Sequence, residues 1–271
     1  MSGVHVWTRE LMGTVFSVHV VDDASGGPEQ RATEDLAAAR FFDEVSEIER
    51  IFSTFRDDSE VSRIRRGELD IASADPRVGM VAAACDEAES ATAGRFSAHW
   101  RGGFDPTGYV KGWSVEVAGA AHLEPLLRVP GIRALGVNAG GDVRVWSRPE
   151  TPWTWRVGVA DPARRGAIVA TIELTSGAVA TSGTAERGGH IIEPASGRPA
   201  GGARSATVVG ADLATADVWA TAAVVAGAED LSWIGGAPVA SGLVVSSDGG
   251  VRRFANGVEL LVTVRLGIGQ K

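Results

Sequence analysis

The stretch ALGVNAGGDVRVW, residues 134–146, decides the fold class. Apolar runs flank a polar, glycine-paired centre, the pattern of two strands joined by a tight hairpin. Gly140 and Gly141 suit the positive φ angles such a turn requires. A hairpin makes its strands antiparallel, and downstream the pattern continues. Strands are expected at 155–159, 168–174, 178–180, 190–193 and 205–209, separated by the turn signals DPARRG, TSG and ASGRP. A helix at 214–226 follows, then strands at 242–246 and 258–264 around SSDGG. Upstream, 11–21 reads as a strand with Met12, Thr14, Phe16, Val18 and Val20 on one side. Pro28 then opens a long amphipathic helix. Phe41, Val45, Ile48, Phe52 and Phe55 recur at helical spacing and are expected to form one buried stripe. Asp57 and Glu60 have the form of a capping box for a short helix at 59–66, and Asp75-Pro76 starts another that runs to Gly94. GFDPTGYVKG enters a further helix through Trp113, Val117 and Ala121. Helices first, antiparallel strands later and one helix returning make an α+β chain rather than alternating βαβ units. With no tether-like linker, residues 1–271 read as a single domain.

Composition narrows the function. The 271 residues carry 26 Lys+Arg against 34 Asp+Glu, a net charge of -8, so broad binding to nucleic acid or an anionic membrane is not expected. No apolar run approaches the ~18 residues that cross a bilayer. The N-terminus interrupts its apolar residues with His5, Arg9 and Glu10, unlike a signal peptide. With one cysteine, Cys85, an internal disulfide and a cysteine zinc cage are both excluded, and a cytoplasmic chain is expected. Cys85 lies among alanines on an apolar helix face and reads as a buried, inert thiol. Of the 26 basic residues only two are lysine, and Lys271 ends the chain, so Lys111 is the sole internal one. A compact ammonium retained among arginines suggests a point charge is wanted there, although a tolerant surface position also accounts for it.

Four stretches could carry chemistry. In DPTGYVKG, Asp105 supplies a carboxylate, Gly108 allows close backbone approach and Lys111 a charge near a helix start, where phosphates bind well. An ordinary Asp-Pro turn explains the same residues. In ADVWAT, Asp217 and Thr221 lie four apart on one helix face and offer hard oxygen ligands suited to Mg²⁺; solvated helix residues are the alternative. In TSGTAERGGHIIEPASGRP, His190 follows two glycines and could accept a proton from a hydroxyl, or be a structural histidine at a strand start. NAGGD is sufficiently explained by its turn, with a ligand role for Asp142 only weakly indicated.

Taken in order, MGT (12–14), FSTFRDDSEVSRI (52–64), DPTGYVKGW (105–113), NAGGD, ATSGTAERGGHIIEPASGRP (180–199) and ADVWAT resemble the ApbE family, the FAD:protein FMN transferases. The resemblance implies a two-lobed α+β fold with a mostly antiparallel sheet and FAD between the lobes. It implies Mg²⁺-dependent transfer of FMN from FAD to a Thr or Ser hydroxyl of an acceptor protein, releasing AMP. Hydrolysis of FAD to FMN and AMP, or FAD binding without turnover, are the alternatives it leaves. It assigns Mg²⁺ to Asp217, Thr221 and the Gly108 carbonyl. FAD contacts fall to Met12, Phe55, Arg95, Phe96, Ser97, Asp105 and Lys111, with the turn Thr181, Ser182, Gly183 as nucleotide wall. His190 resembles the family's proposed general base. Two departures stand out: Ser97 replaces a frequent aspartate, and Phe55 a frequent tyrosine. Exported members carry a lipobox or signal peptide; neither is read here, which implies a cytoplasmic acceptor or none.

Overall fold

The computed structural model of the chain describes residues 3–24, 26–100, 102–184 and 191–260. In chain order the elements are β1 (Gly3–Leu11), β2 (Thr14–Asp22), α1 (Pro28–Phe52), α2 (Glu60–Arg65), α3 (Pro76–Ala91), α4 (Thr107–Ala118), β3 (Ile132–Ala139), β4 (Asp142–Ser147), β5 (Trp155–Ala160), β6 (Ile168–Leu174), β7 (Gly177–Gly183), β8 (Ile192–Glu193), β9 (Arg198–Pro199), β10 (Ser205–Gly210), α5 (Leu213–Ala226), β11 (Ser241–Val245), β12 (Val251–Ala255) and β13 (Val258–Leu260). Among these, nine strands form one antiparallel sheet in the order β1-β2-β3-β4-β7-β10-β11-β12-β13, while β5–β6 and β8–β9 are separate hairpins. The architecture is α+β, as the strand-rich second half led us to expect.

The sheet separates two layers because strand side chains alternate between its faces. On one face α1 packs on α4, α4 on α5, and α5 on β7 and β10. Phe16, Val18 and Val20 of β2 join Leu135 and Val137 of β3 and Phe41, Val45 and Ile48 of α1 in the main core. On the other face, Leu243 and Val245 of β11 pack with Val159 and the partly buried Val169 and Ile172 of β5–β6. Trp155 of β5 also meets His19 edge-on, at 6.4 Å between ring centres. No helix among the described residues is long and apolar enough to cross a membrane.

Four local expectations need correcting. The strand expected at 11–21 is interrupted by a hairpin turn, with Met12 at φ 51° and Gly13 at φ 70°, so β1 and β2 pair across it. β1 escaped the sequence reading because its polar residues face a helix and not solvent alone. His5 Nδ1 lies 2.6 Å from Glu34, Trp7 Nε1 donates to Asp35 at 2.9 Å, and Arg9 Nη1 donates to Asp43 at 2.8 Å, all three partners on α1. The α1 stripe ends at Phe52: Ser53 leaves helical geometry, the helical phase is lost, and Phe55 is 94% exposed. The cap of α2 is Ser59, whose side chain accepts from Ser62 N–H, while Glu60 reaches away to accept from Asp75 N–H at 2.6 Å. Finally, Thr181, Ser182 and Gly183 are not a turn but the end of β7, paired with β10. β12 was also absent from the sequence reading, and 261–264 of the expected last strand lie outside the described residues.

Cys85 is buried on α3, and burial pushes its thiol up to about 12, in keeping with an inert side chain.

Candidate active site: a carboxylate-lined cleft

The site is built where α4 and α5 cross above the ends of β4 and β7. Gly112 makes the crossing close. A Cβ there would lie 2.8 Å from both Ala214 Cα and Leu213 O, so only glycine lets the two helices approach this far. Glu116, one turn further along α4, accepts from Leu213 N–H at 2.6 Å, satisfying one of the free amides at the start of α5. Arg144 of β4 pairs with the same carboxylate at 2.9 Å. Burial raises the Glu116 pKa, against the opposing pull of Arg144 and the amide. At its own start α5 is capped by Asp212, which accepts from Thr215 N–H at 2.7 Å.

This crossing brings Lys111 of α4 against two carboxylates. Its Nζ donates to Asp142, at the start of β4, and to Asp217 Oδ2 of α5 at 2.9 Å. Asp142 and Asp217 are 5% and 6% exposed. Burial disfavours the ammonium, but the two carboxylates outweigh it and the lysine pKa is raised. Asp142 is held in place through its other oxygen, which accepts from Thr181 N–H at 2.8 Å. The turn before it is fixed by Gly140 at φ 65° and Gly141 at φ 102°, with Gly141 N–H donating to Asn138 Oδ1 at 2.8 Å. Thr221, one helical turn beyond Asp217, shares a 3.0 Å hydrogen bond with the Ser182 hydroxyl.

These groups line a cleft of about 1020 Å³, ample for a dinucleotide-sized ligand. Of the residues singled out from the sequence, the cleft brings together Arg95, Phe96, Ser97, Asp105, Gly108, Lys111, Thr181, Ser182, Gly183, Asp217 and Thr221. Gly108 is bare on its Phe96 side, where a Cβ would sit 3.1 Å from the ring. Asp105 Oδ1 accepts from the Thr107 hydroxyl at 2.7 Å, and Arg95 pairs with Asp230 at 2.7 Å. Two expected residues are elsewhere. Met12 sits in the β1–β2 turn, packed against the main core with its sulfur 3.9 Å from the Ser114 hydroxyl; Phe55 is on the surface. His190 lies outside the described residues. Conversely, Asp142 takes a larger place than NAGGD suggested, Thr14 of the MGT motif lines the cleft though the resemblance assigns it no role, and Trp100 and the β5–β6 tip line it without any sequence signal beyond turn chemistry.

The donor set fits a magnesium ion. Two buried carboxylates share one ammonium, leaving a net negative charge, and Thr221 and the Gly108 carbonyl add hard oxygens to the same cleft. Such a group would be held by Asp217, with Asp142, Thr221 and Gly108 as its neighbouring oxygen donors.

Fold and cleft together define an α+β protein with a carboxylate-lined ligand site on an antiparallel sheet. The profile of the ApbE family matches residues 12–102 and 100–238, and the chain belongs to that family. It is 40% identical over 135 residues to the FAD:protein FMN transferase of Rhodobacter capsulatus, a match spanning 45% of this chain and 24% of that protein. The chain therefore covers about a quarter of that curated relative's length. Its fold is similar to that of the ApbE protein from Thermotoga maritima, with a TM-score of 0.76, 22% identity, and coverage of 93% of this chain and 97% of the other. The flavin transferase ApbE of Vibrio cholerae superposes with a TM-score of 0.72 at 20% identity, covering 94% and 97%. For the Pseudomonas stutzeri flavinyl transferase ApbE in its apo form the TM-score is 0.70 at 20% identity, covering 94% of each chain.

Proposed function

We propose that this chain, acting as one domain, transfers FMN from FAD to a Thr or Ser hydroxyl of a cytoplasmic acceptor protein, with Mg²⁺ required and AMP released. The observation that carries the proposal is the Asp142–Lys111–Asp217 cluster in the cleft. A divalent cation bound there would neutralise charge on the phosphoryl oxygens.

The chain's own residues supply the rest. Asp217 and Thr221, with the Gly108 carbonyl, would hold the cation. Lys111 adds a point charge, its ammonium favoured by its two carboxylate partners. Phe96 and the glycine edge of α4 give the flavin an apolar surface, and Ser182 and Gly183 form the wall for the nucleotide. The acceptor oxygen forms a bond to the phosphorus on the FMN side, and the bond from that phosphorus to the AMP oxygen breaks. The hydroxyl proton passes to His190, which takes the base role on the family resemblance.

Purified protein incubated with FAD and Mg²⁺, with and without acceptor, tests this. AMP release together with in-gel flavin fluorescence on the acceptor is expected only when the acceptor is present. AMP without acceptor would replace transfer by hydrolysis; bound flavin with no AMP would reduce the protein to a binder. His190→Ala should slow transfer at least about 100-fold while FAD affinity holds. Equal losses in rate and affinity would make His190 a binding or structural residue.

A further inference from the structure

The β5–β6 hairpin reaches the cleft by its tip, DPARRG at 161–166. The turn is closed internally. Asp161 N–H donates to Ala167 O at 2.9 Å, and Gly166 takes φ 81°. Asp161 accepts from Ala163 N–H at 2.9 Å and from Arg164 Nε at 2.8 Å. Arg164 is thus committed to its own turn and does not line the cleft. Its neighbour Arg165 does line it.

The charges of the cleft single Arg165 out. Among the described residues its cationic side chains are Arg95, Lys111 and Arg165. Arg95 is paired with Asp230, and Lys111 with Asp142 and Asp217. The Arg165 side chain makes no hydrogen bond or ion pair with any described residue. It is also exposed, so its charge is solvated until something enters the cleft. An arginine presents a planar fork that matches two phosphate oxygens at once, which an ammonium does not.

We propose that Arg165 is the guanidinium that receives the diphosphate of the substrate dinucleotide. It comes from a hairpin separate from β4 and α5, the elements that carry the two carboxylates. The proposal rests on the reading of the cleft as a dinucleotide site and adds the residue that discriminates for the diphosphate. A solvated surface arginine that touches no ligand is the competing account, and ligands with and without the diphosphate separate the two.

The test is binding of FAD, ADP and riboflavin, in the presence of Mg²⁺, to the wild type and to Arg165→Ala, Arg165→Lys and Arg156→Ala. Arg156 lies on the same hairpin, is paired with Glu173 at 2.8 Å, and serves as the charge control. Arg165→Ala should weaken FAD and ADP alike, by about 10- to 100-fold for a lost charge-assisted hydrogen bond, and leave riboflavin unchanged. Arg165→Lys should recover part of the loss, and Arg156→Ala should match the wild type. The proposal is overturned if Arg165→Ala binds FAD and ADP within twofold of the wild type. It is equally overturned if riboflavin weakens by the same factor as FAD, because that reports general damage to the cleft. A wild type that binds ADP but no flavin would sink the flavin reading, while the ADP ratio alone would still decide Arg165.

Discussion

Lys111 donates to carboxylates 31 and 106 residues away in the chain, so one ammonium fastens two elements to α4 in the middle of the cleft. An arginine there would keep the charge but spread it over a plane wider than the gap between two carboxylates that meet at one nitrogen. Lys111→Arg is therefore expected to lower the rate of AMP release by at least about 10-fold, through geometry. Full activity in that variant would remove the special place of the lysine. Asp217→Ala should be more severe, cutting turnover by about 1000-fold or more by removing the carboxylate proposed to hold the cation. A wild-type rate at limiting Mg²⁺ would overturn the assignment. The singularity of Lys111 could be read from composition alone, as the one internal lysine among arginines. The weight of Asp142 could not, because a hairpin already accounts for every residue of NAGGD. Only pairing β4 beside β7, 39 residues on, brings its carboxylate to Thr181 N–H.

At the scale of elements, the crossing of α4 and α5 decides whether the cleft exists. Gly112→Ala would gain about 1 kcal/mol of helix propensity, but its methyl would press on backbone atoms of Leu213 and Ala214 at 2.8–2.9 Å, which cannot rotate away. The clash should win. We expect a net loss of about 1–3 kcal/mol in urea denaturation, together with loss of Mg²⁺-dependent turnover as Lys111 is carried away from Asp217. A variant as stable and as active as the wild type would show that the helices can separate freely. The sequence reading marked Gly108 in the same motif and passed over Gly112, since nothing local announces which helix will cross at a given glycine. The same limit explains Phe55. Its spacing from Phe52 continues the α1 stripe, yet spacing has meaning only while the helix lasts, and α1 stops at Phe52. By contrast the 134–146 hairpin was fully legible, because its turn chemistry and strand pattern are both local. β1 was not, because its polar side chains are explained by partners on α1.

For the whole molecule, alkaline pH tests the packing of the helical layer. Burial pushes Cys85 and Tyr109 up to about 12, from ordinary values near 9 and 10. Above pH 9 the unfolded chain gives up these protons and the folded chain keeps them. Stability is then lost as pH rises, between about pH 9 and 12, and not gained. Urea midpoints should fall across that window, and Cys85→Ala should flatten part of the slope. A slope unchanged by that substitution would mean the thiol is open to solvent.

Every strand in the large sheet pairs with the next one that belongs to it, in rising chain order, and the β5–β6 and β8–β9 excursions leave and return without altering a neighbour. Both excursions contribute to the cleft, through Arg165 on one side of the chain and Ile192 and Pro194 on the other. Part of the lining is therefore encoded outside the sheet, while Asp142, Thr181, Ser182 and Gly183 belong to its strands. The tip of the β5–β6 hairpin can be lengthened or exchanged while the strands behind it keep their register and their packing on Leu243 and Val245, so the ligand contacts it supplies can be engineered without re-solving the folding problem.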